Sequence, residues 1–216
     1  MLFDDWFDSP QPGHREPLGP QACVLRGHAL RDVPRLLPAL QDIQRAAPAK
    51  QLVTPGGRIM SIAMSNCGTL GWTSSREGYR YTARDPATGE PWPPMPDVFL
   101  ELARSAAAEA GHPDFAPDAC LVNRYAPGTR LSLHQDRDEH DLGHPIVSVS
   151  LGIPAVFLFG GFKREDATQK VPLFHGDVVV WGGVDRLRFH GVQPVKEAEH
   201  PALGRLRINL TFRRAG

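Results

Sequence analysis

From Ala119 to Arg213 the chain is a succession of short apolar runs broken by turn signals. The runs are Ala119 to Tyr125, a stretch opening at Arg130, Ile146 to Leu151, Ala155 to Phe159, Lys170 to Phe174, Val178 to Trp181, Leu187 to His190 and Arg205 to Arg213. Pro127-Gly128, Gly160-Gly161 and Gly182-Gly183 punctuate them. About eight short strands with such turns predict a two-sheet jelly roll or barrel. Alternation is cleanest in the last run, where Leu206, Ile208, Leu210 and Phe212 take one face and Arg205, Arg207, Asn209, Thr211 and Arg213 take the other.

That polar face has two readings. A sheet with one wet side alternates in the same way, which makes the run a solvated edge. If the face looks into the barrel, the interior is cationic at Arg207 and Arg213 and needs an anion. A dicarboxylate fits, because guanidinium forks bind carboxylates bidentately. Asn123 and Tyr125 are also two apart on one strand and offer an amide and a phenol to the same anion; the plainer reading is an internal hydrogen bond.

His-x-Asp occurs three times. His112-Pro-Asp114 follows Gly111 and contains a proline, so it reads as a loop. His175-Gly-Asp177 lies between two apolar runs and reads as the tight turn of a hairpin. Only His134 and Asp136, in Leu131-Ser-Leu-His-Gln-Asp136, sit in an alternating stretch. In a strand, residues i and i+2 project to one side. An imidazole and a carboxylate then point together, with Leu131 and Leu133 opposite. A second histidine from another strand, for which His190 is the candidate, completes two nitrogens and one oxygen on one face of a metal. The opposite face stays open, as in non-haem iron(II) oxygenases.

Composition removes other classes. The 216 residues suit one large domain. Acidic and basic residues balance at 24 each, so any nucleic-acid contact is a local patch. Cys23, Cys67 and Cys120 form neither a disulfide framework nor a zinc motif, which fits a reducing cytosol. The acidic start Met1-Leu-Phe-Asp-Asp-Trp6 is not a secretory signal. No apolar run is long enough to cross a bilayer. A cytoplasmic monomer with no membrane partner is expected.

The first half is predicted to support this core. Residues 1 to about 20 read as a flexible arm, with Trp6 and Phe7 docking. Ala22 to Leu25 is a short strand. A helix follows with Asp32 as N-cap and Val33, Leu36, Leu37, Leu40 and Ile43 at helical spacing; Pro38 is a potential kink. A second helix runs from about Asp97 to Ala110 and ends at Gly111. Between them, residues 51–96 hold strand-like runs at Arg58 to Met64 and Gly78 to Thr82, joined through Leu70-Gly-Trp72. Trp72, Tyr79 and Tyr81 are interleaved there with Arg58, Arg76, Arg80 and Arg84. That mixture suits base stacking and phosphate tracking; ordinary hairpin packing with solvated charges is the alternative.

Taken together, the segments Pro117 to Gly128, Leu131 to Glu139, Pro145 to Gly152, His175 to Trp181 and Arg207 to Arg213 resemble the bacterial AlkB family, as does Val53-Thr-Pro-Gly-Gly57 through Trp72. The similarity runs from about residue 20 to the end. It implies an α+β, mainly β, fold: a double-stranded β-helix, or jelly roll, with two supporting helices and a β-hairpin nucleotide-recognition lid. One dioxygenase domain would span 21–216, with the lid at 51–96 and the jelly-roll core at 119–213. It implies Fe(2+), 2-oxoglutarate and O2, and oxidative demethylation of bases such as 1-methyladenine and 3-methylcytosine, with release of succinate, carbon dioxide and formaldehyde. Its substrate would be alkylated single-stranded DNA, with double-stranded DNA and RNA open. Carried over by position, the resemblance makes His134, Asp136 and His190 the iron ligands. Asn123, Tyr125, Arg207, Asn209 and Arg213 become the 2-oxoglutarate pocket, and Trp72, Tyr79, Tyr81, Asp138 and Arg164 the substrate side. Competing expectations are a 2-oxoglutarate hydroxylase of small molecules or protein side chains, a nucleic-acid-binding module without catalysis, and a zinc hydrolase.

Overall fold

The computed structural model describes residues 11–216. In chain order the elements are β1 (Arg15–Gly19), β2 (Ala22–Leu25), α1 (Val33–Ala46), β3 (Lys50–Val53), β4 (Ile59–Gly68), β5 (Gly71–Ser75), β6 (Gly78–Thr82), α2 (Asp97–Glu109), β7 (Ala119–Tyr125), β8 (Leu131–His134), β9 (Ile146–Gly152), β10 (Ala155–Phe159), β11 (Gln169–Leu173), β12 (Val178–Trp181), β13 (His190–Val192) and β14 (Arg207–Arg213). Eight strands make one sheet in the order β1-β2-β12-β9-β14-β7-β4-β3, and four make a second in the order β11-β10-β13-β8. Val24, Val179 and Trp181 of the large sheet pack on Phe157, Phe159, Val171 and Leu173 of the small one. This is the jelly roll predicted from the spacing of the apolar runs.

The helices cover the other side of the large sheet. Leu36, Leu40 and Ile43 of α1 and Phe99, Leu102 and Ala106 of α2 are buried against Ile208, Leu210 and Phe212. Phe99 meets Phe212 edge-on at 5.9 Å between centroids. Burying one such side chain contributes about 1.5–3 kcal/mol. Asp32 stands at the N-cap of α1 without a side-chain capping bond, and Pro38 lies inside the helix. Gly111, at φ +98°, turns the chain out of α2.

β14 sits in the middle of the large sheet, hydrogen-bonded to β7 and β9, and all seven of its residues are buried. Its apolar face meets the helices; its polar face looks between the sheets. The solvated-edge reading is therefore wrong, because a strand covered on both faces has no wet side.

Several expectations shift. Trp6 and Phe7 lie outside the described residues. The arm was expected to run to about residue 20, yet Arg15–Gly19 pairs with β2 as a strand. Glu16 accepts two bonds from Arg26, at 2.5 and 2.9 Å, and Arg26 also bonds the buried Asp177 at 2.7 Å. That ion cluster ties β1 down. Within 51–96, β3 and β4 belong to the large sheet, and only β5 and β6 stand apart as a hairpin. Leu70-Gly-Trp72 is not simply a joint, since Gly71 and Trp72 open β5. His190 begins its strand rather than ending one. His175-Gly-Asp177 is a tight turn with Gly176 at φ +90°, but β11 and β12 lie in different sheets, so it joins the two layers and closes no hairpin.

Candidate active site

His134 and His190 are direct cross-strand partners in the small sheet, with ring centroids 4.4 Å apart. Cross-strand pairing brings the rings together. His134 Nδ1 lies 2.9 Å from the Ser132 carbonyl oxygen and His190 Nδ1 lies 3.1 Å from that of Arg188. An Nδ1–H donated to each carbonyl leaves both Nε2 lone pairs free, the arrangement that orients metal-binding histidines. Asp136 Oδ1 lies 3.4 Å from His134 Nε2 and 3.8 Å from His190 Nε2. The three ligand atoms lie within 4.8 Å of one another, and no other such group of three occurs among the described residues.

The route to this cluster differs from the expected one. β8 ends at His134, so Asp136 and Asp138 are not on a strand. Asp136 is turned inward by partners instead. Arg213 reaches across from the large sheet, with Nε 2.9 Å and Nη2 2.5 Å from Asp136 Oδ2. Arg186 Nη1 donates to the Asp136 carbonyl at 2.6 Å. Burial would raise the Asp136 carboxyl, but Arg213, with His134 and His190 after it, outweighs burial and holds it well below the ordinary range. Burial, helped by His134, pushes His190 down to about 3, so the ring is neutral and able to ligate at neutral pH.

Beside the cluster, β7, β14 and β9 present one polar surface. Arg207 stands opposite Tyr125, and Asn209 opposite both Asn123 and Ser150. The Arg207 guanidinium lies 4.7 Å above the Tyr125 ring, and its Nε donates to Ser150 Oγ at 3.1 Å. Its Nη1 is buried and unpaired, as is Asn123 Oδ1. Burial lowers the Arg207 pKa, and Tyr125 offsets this only in part. A buried guanidinium nitrogen without a partner is costly. A carboxylate from a bound molecule would remove that cost, so these residues fit a 2-oxoglutarate pocket. Arg213 is already committed to Asp136, which leaves Arg207 as the available cation. Asn209 donates to Ser148 Oγ at 2.8 Å and to the Val149 carbonyl at 3.0 Å.

At the mouth, Trp72 of β5 stacks on Tyr79 of β6 at 5.4 Å, with Tyr79 about half exposed. Trp72 Nε1 donates to Asp138 Oδ2 at 2.8 Å. Arg164 donates to the Leu133 carbonyl next to His134 and lies 5.1 Å from the Phe189 ring. Tyr81 points inward and donates to Glu139 Oε1 at 2.9 Å. Of the four arginines noted near the hairpin, Arg80 pairs with Glu77 at 3.0 Å and Arg84 donates to the Gly89 carbonyl. The side chains of Arg58 and Arg76 have no partner among the described residues.

The other two His-x-Asp pairs are structural. Asp177 binds Arg26 and accepts the backbone N–H groups of Gly27 and Phe174 at 2.9 and 3.0 Å. The His112 ring packs against Gly182. Sequence reasoning missed Glu139 and Arg186 as site residues. Their partners lie far along the chain, 58 residues for Tyr81 with Glu139 and 50 for Arg186 with Asp136, so no local pattern marks them.

Two histidines and one carboxylate, next to a buried arginine with one unpaired nitrogen, define an iron- and 2-oxoglutarate-dependent oxygenase. A family model described as the 2OG-Fe(II) oxygenase superfamily matches residues 28–213, and the chain belongs to that family. Within it, the chain is 55% identical over 212 residues to the alpha-ketoglutarate-dependent dioxygenase AlkB of Escherichia coli strain K12, covering 98% of each. It is 34% identical over 170 residues, 67% of this chain and 37% of that protein, to the DNA N(6)-methyladenine demethylase ALKBH1C of Arabidopsis thaliana. The solved structure of OsALKBH1 superposes with a TM-score of 0.80 at 30% identity, covering 93% of this chain and all of that one. The enzyme uses iron(II), 2-oxoglutarate and dioxygen, and is an AlkB-type dioxygenase.

Proposed function

We propose that this enzyme repairs alkylated nucleic acid by oxidative demethylation, with N-methylated bases such as 1-methyladenine and 3-methylcytosine in single-stranded DNA as substrates. The observation that carries the reading is the Trp72–Asp138 pair beside the histidine–aspartate cluster: an indole platform fixed by a carboxylate at the mouth of an oxidising centre. A methylated base of this kind is a flat cation with an exocyclic amine. The indole suits its face and the carboxylate suits its charge and its amine. The AlkB and demethylase relatives support the same substrate class.

In this mechanism His134, His190 and Asp136 would hold the iron. Arg213 holds Oδ2 of Asp136 and keeps the carboxylate from turning away. Arg207, backed by Tyr125, would bind the 2-oxoglutarate carboxylate remote from the metal, and Asn123, whose Nδ2 now donates to Asn209 Oδ1, would line the same pocket with its amide. Bound iron, dioxygen and 2-oxoglutarate supply the oxidation of the N-methyl carbon, with succinate, carbon dioxide and formaldehyde as products. The chain provides no nucleophile; it positions and excludes water. The target base must leave its stack to enter, which favours single strands and weakened pairs. Trp72 and Tyr79 stack against it, and Arg58 and Arg76 are free to meet phosphates. The protein works in the cytoplasm as a monomer.

The test is product analysis on oligonucleotides carrying 1-methyladenine or 3-methylcytosine, single- and double-stranded, DNA and RNA, with iron and 2-oxoglutarate. Stoichiometric succinate, formaldehyde and restored base are expected, fastest on single-stranded DNA. Oligonucleotide binding without succinate would reduce the protein to a binding module. Turnover in anaerobic buffer without 2-oxoglutarate would overturn the oxidative reading.

A further inference from the structure

A second carboxylate lies behind the metal cluster and is not one of its ligands. Glu139 is buried, with its side chain 2% exposed. It follows Asp136 by three residues on the loop after β8, yet its three partners come from three different parts of the fold. Tyr81 Oη of hairpin strand β6 donates to Oε1 at 2.9 Å. Arg213 Nε of β14 lies 3.2 Å from the same oxygen. Arg186 Nη2, from the turn before β13, lies 3.0 Å from Oε2. Both arginines also hold Asp136, Arg213 by its carboxylate and Arg186 by its carbonyl. Glu139 thus shares two cations with the ligand and is the one member of the group that touches the hairpin.

We propose that Glu139 is a positioning residue that couples the substrate-side hairpin to the iron site, through the chain Tyr81–Glu139–Arg213–Asp136. This reading extends the assignment of Asp136 as a ligand and of β5–β6 as the substrate side. Two effects follow from the geometry. Arg213 Nε is divided between the two carboxylates; without Glu139 it belongs to Asp136 alone and draws that carboxylate away from the metal. Removing a negative charge from the cluster also leaves two arginines facing a dication with one fewer counter-charge. Both weaken metal binding. In the other direction, Tyr81 is a hook between the hairpin and the core. Burial raises its pKa, and Glu139 adds to that, so the phenol stays protonated and donating at neutral pH. When β5–β6 lifts, the chain loses its outer member, and the metal ligand is held less firmly until the hairpin reseats. Seating of the substrate platform and alignment of Asp136 therefore favour each other.

Glu139→Gln keeps the shape and removes the charge; Tyr81→Phe keeps the ring and removes the hook. Cobalt(II) serves as a spectroscopic stand-in for iron, titrated into the full-length protein without oligonucleotide and with 2-oxoglutarate present. Glu139→Gln is expected to bind cobalt roughly 10- to 100-fold more weakly, with an altered ligand-field spectrum, the usual range for loss of a residue that orients a metal ligand. Tyr81→Phe is expected to speed amide hydrogen exchange in β5–β6 and to weaken cobalt binding by a smaller factor. A purely structural role would lower the melting temperature of both variants with cobalt affinity and spectrum unchanged, and that result overturns the proposal. So does hydrogen exchange in Tyr81→Phe that matches wild type. Neither readout uses nucleic acid, so a failed demethylase assay and a failed coupling are separate outcomes.

Discussion

Arg207 lies on Tyr125 with 4.7 Å between guanidinium carbon and ring centroid, and one of its buried nitrogens has no partner. The two residues are register neighbours on β14 and β7, so the ring holds the guanidinium plane in place. Arg207→Lys keeps the charge but loses the planar fork and the stacking. The expected result is a rise of about tenfold or more in KM for 2-oxoglutarate with cobalt affinity near wild type. An unchanged KM would remove Arg207 from the pocket.

Arg213 answers to a different measurement. Its Nε and Nη2 both donate to Asp136 Oδ2, Nε also lies near Glu139, and the side chain is buried. Arg213→Lys is expected to weaken cobalt binding as well as 2-oxoglutarate binding, because a lysine cannot bring two nitrogens to Asp136 Oδ2. A variant impaired in 2-oxoglutarate alone would mean that Arg213 serves only the co-substrate.

Removing the ligand itself separates chemistry from folding. Asp136→Ala would leave the buried Arg213 with Glu139 as its remaining carboxylate, 3.2 Å from Nε, and so cost stability as well as the ligand. Asp136→Asn is the cleaner variant. It should lose turnover and cobalt binding while circular dichroism reports a folded protein. His112→Ala should keep wild-type kcat, since that ring packs against Gly182 and is not part of the metal cluster.

The charge of Asp138 suits cationic lesions, and its bond to Trp72 adds a second effect. Asp138→Asn removes the charge and retains an acceptor for the indole. It should lose about tenfold in kcat/KM on 1-methyladenine and 3-methylcytosine, and less on a neutral lesion, because a charge-assisted bond is worth about 1.5–3 kcal/mol. Trp72→Phe should lower both alike. Equal losses in Asp138→Asn would confine Asp138 to holding the indole.

The metal-free protein should also lose stability in mild acid. His175 stacks on His200 with centroids 4.2 Å apart, and its Nδ1 accepts the Gly152 N–H at 2.9 Å. Burial, with His200 after it, pushes His175 down to about 4, and burial lowers His200 too. The folded state therefore binds fewer protons than the unfolded chain, whose histidines titrate near 6.5. The stability contributed by the neutral pair is complete above about pH 6.5 and declines as pH falls toward 4. His175→Gln should reduce the difference in denaturation midpoint between pH 7 and pH 5, with the buried His190 accounting for part of what remains. A profile as steep as wild type would remove the pair from that dependence.

Periodicity alone was enough for the jelly roll, both supporting helices and the sharing of a face by Arg207, Asn209 and Arg213, because alternation and helical spacing are properties of neighbours in the chain. The His134 to Asp136 spacing marked the metal ligands, although for a reason that fails: β8 stops at His134, and it is Arg213 and Arg186 that bring Asp136 inward. The family resemblance supplied the assignment of roles. Only the tertiary structure decided that β14 is central rather than an edge, that Arg213 holds Asp136 while Arg207 keeps one nitrogen unpaired, and that Tyr81 turns in to Glu139. Those outcomes depend on contacts between residues as far apart as Asp136 and Arg213, 77 positions along the chain, whose partners are selected by how the two sheets close and not by any local pattern.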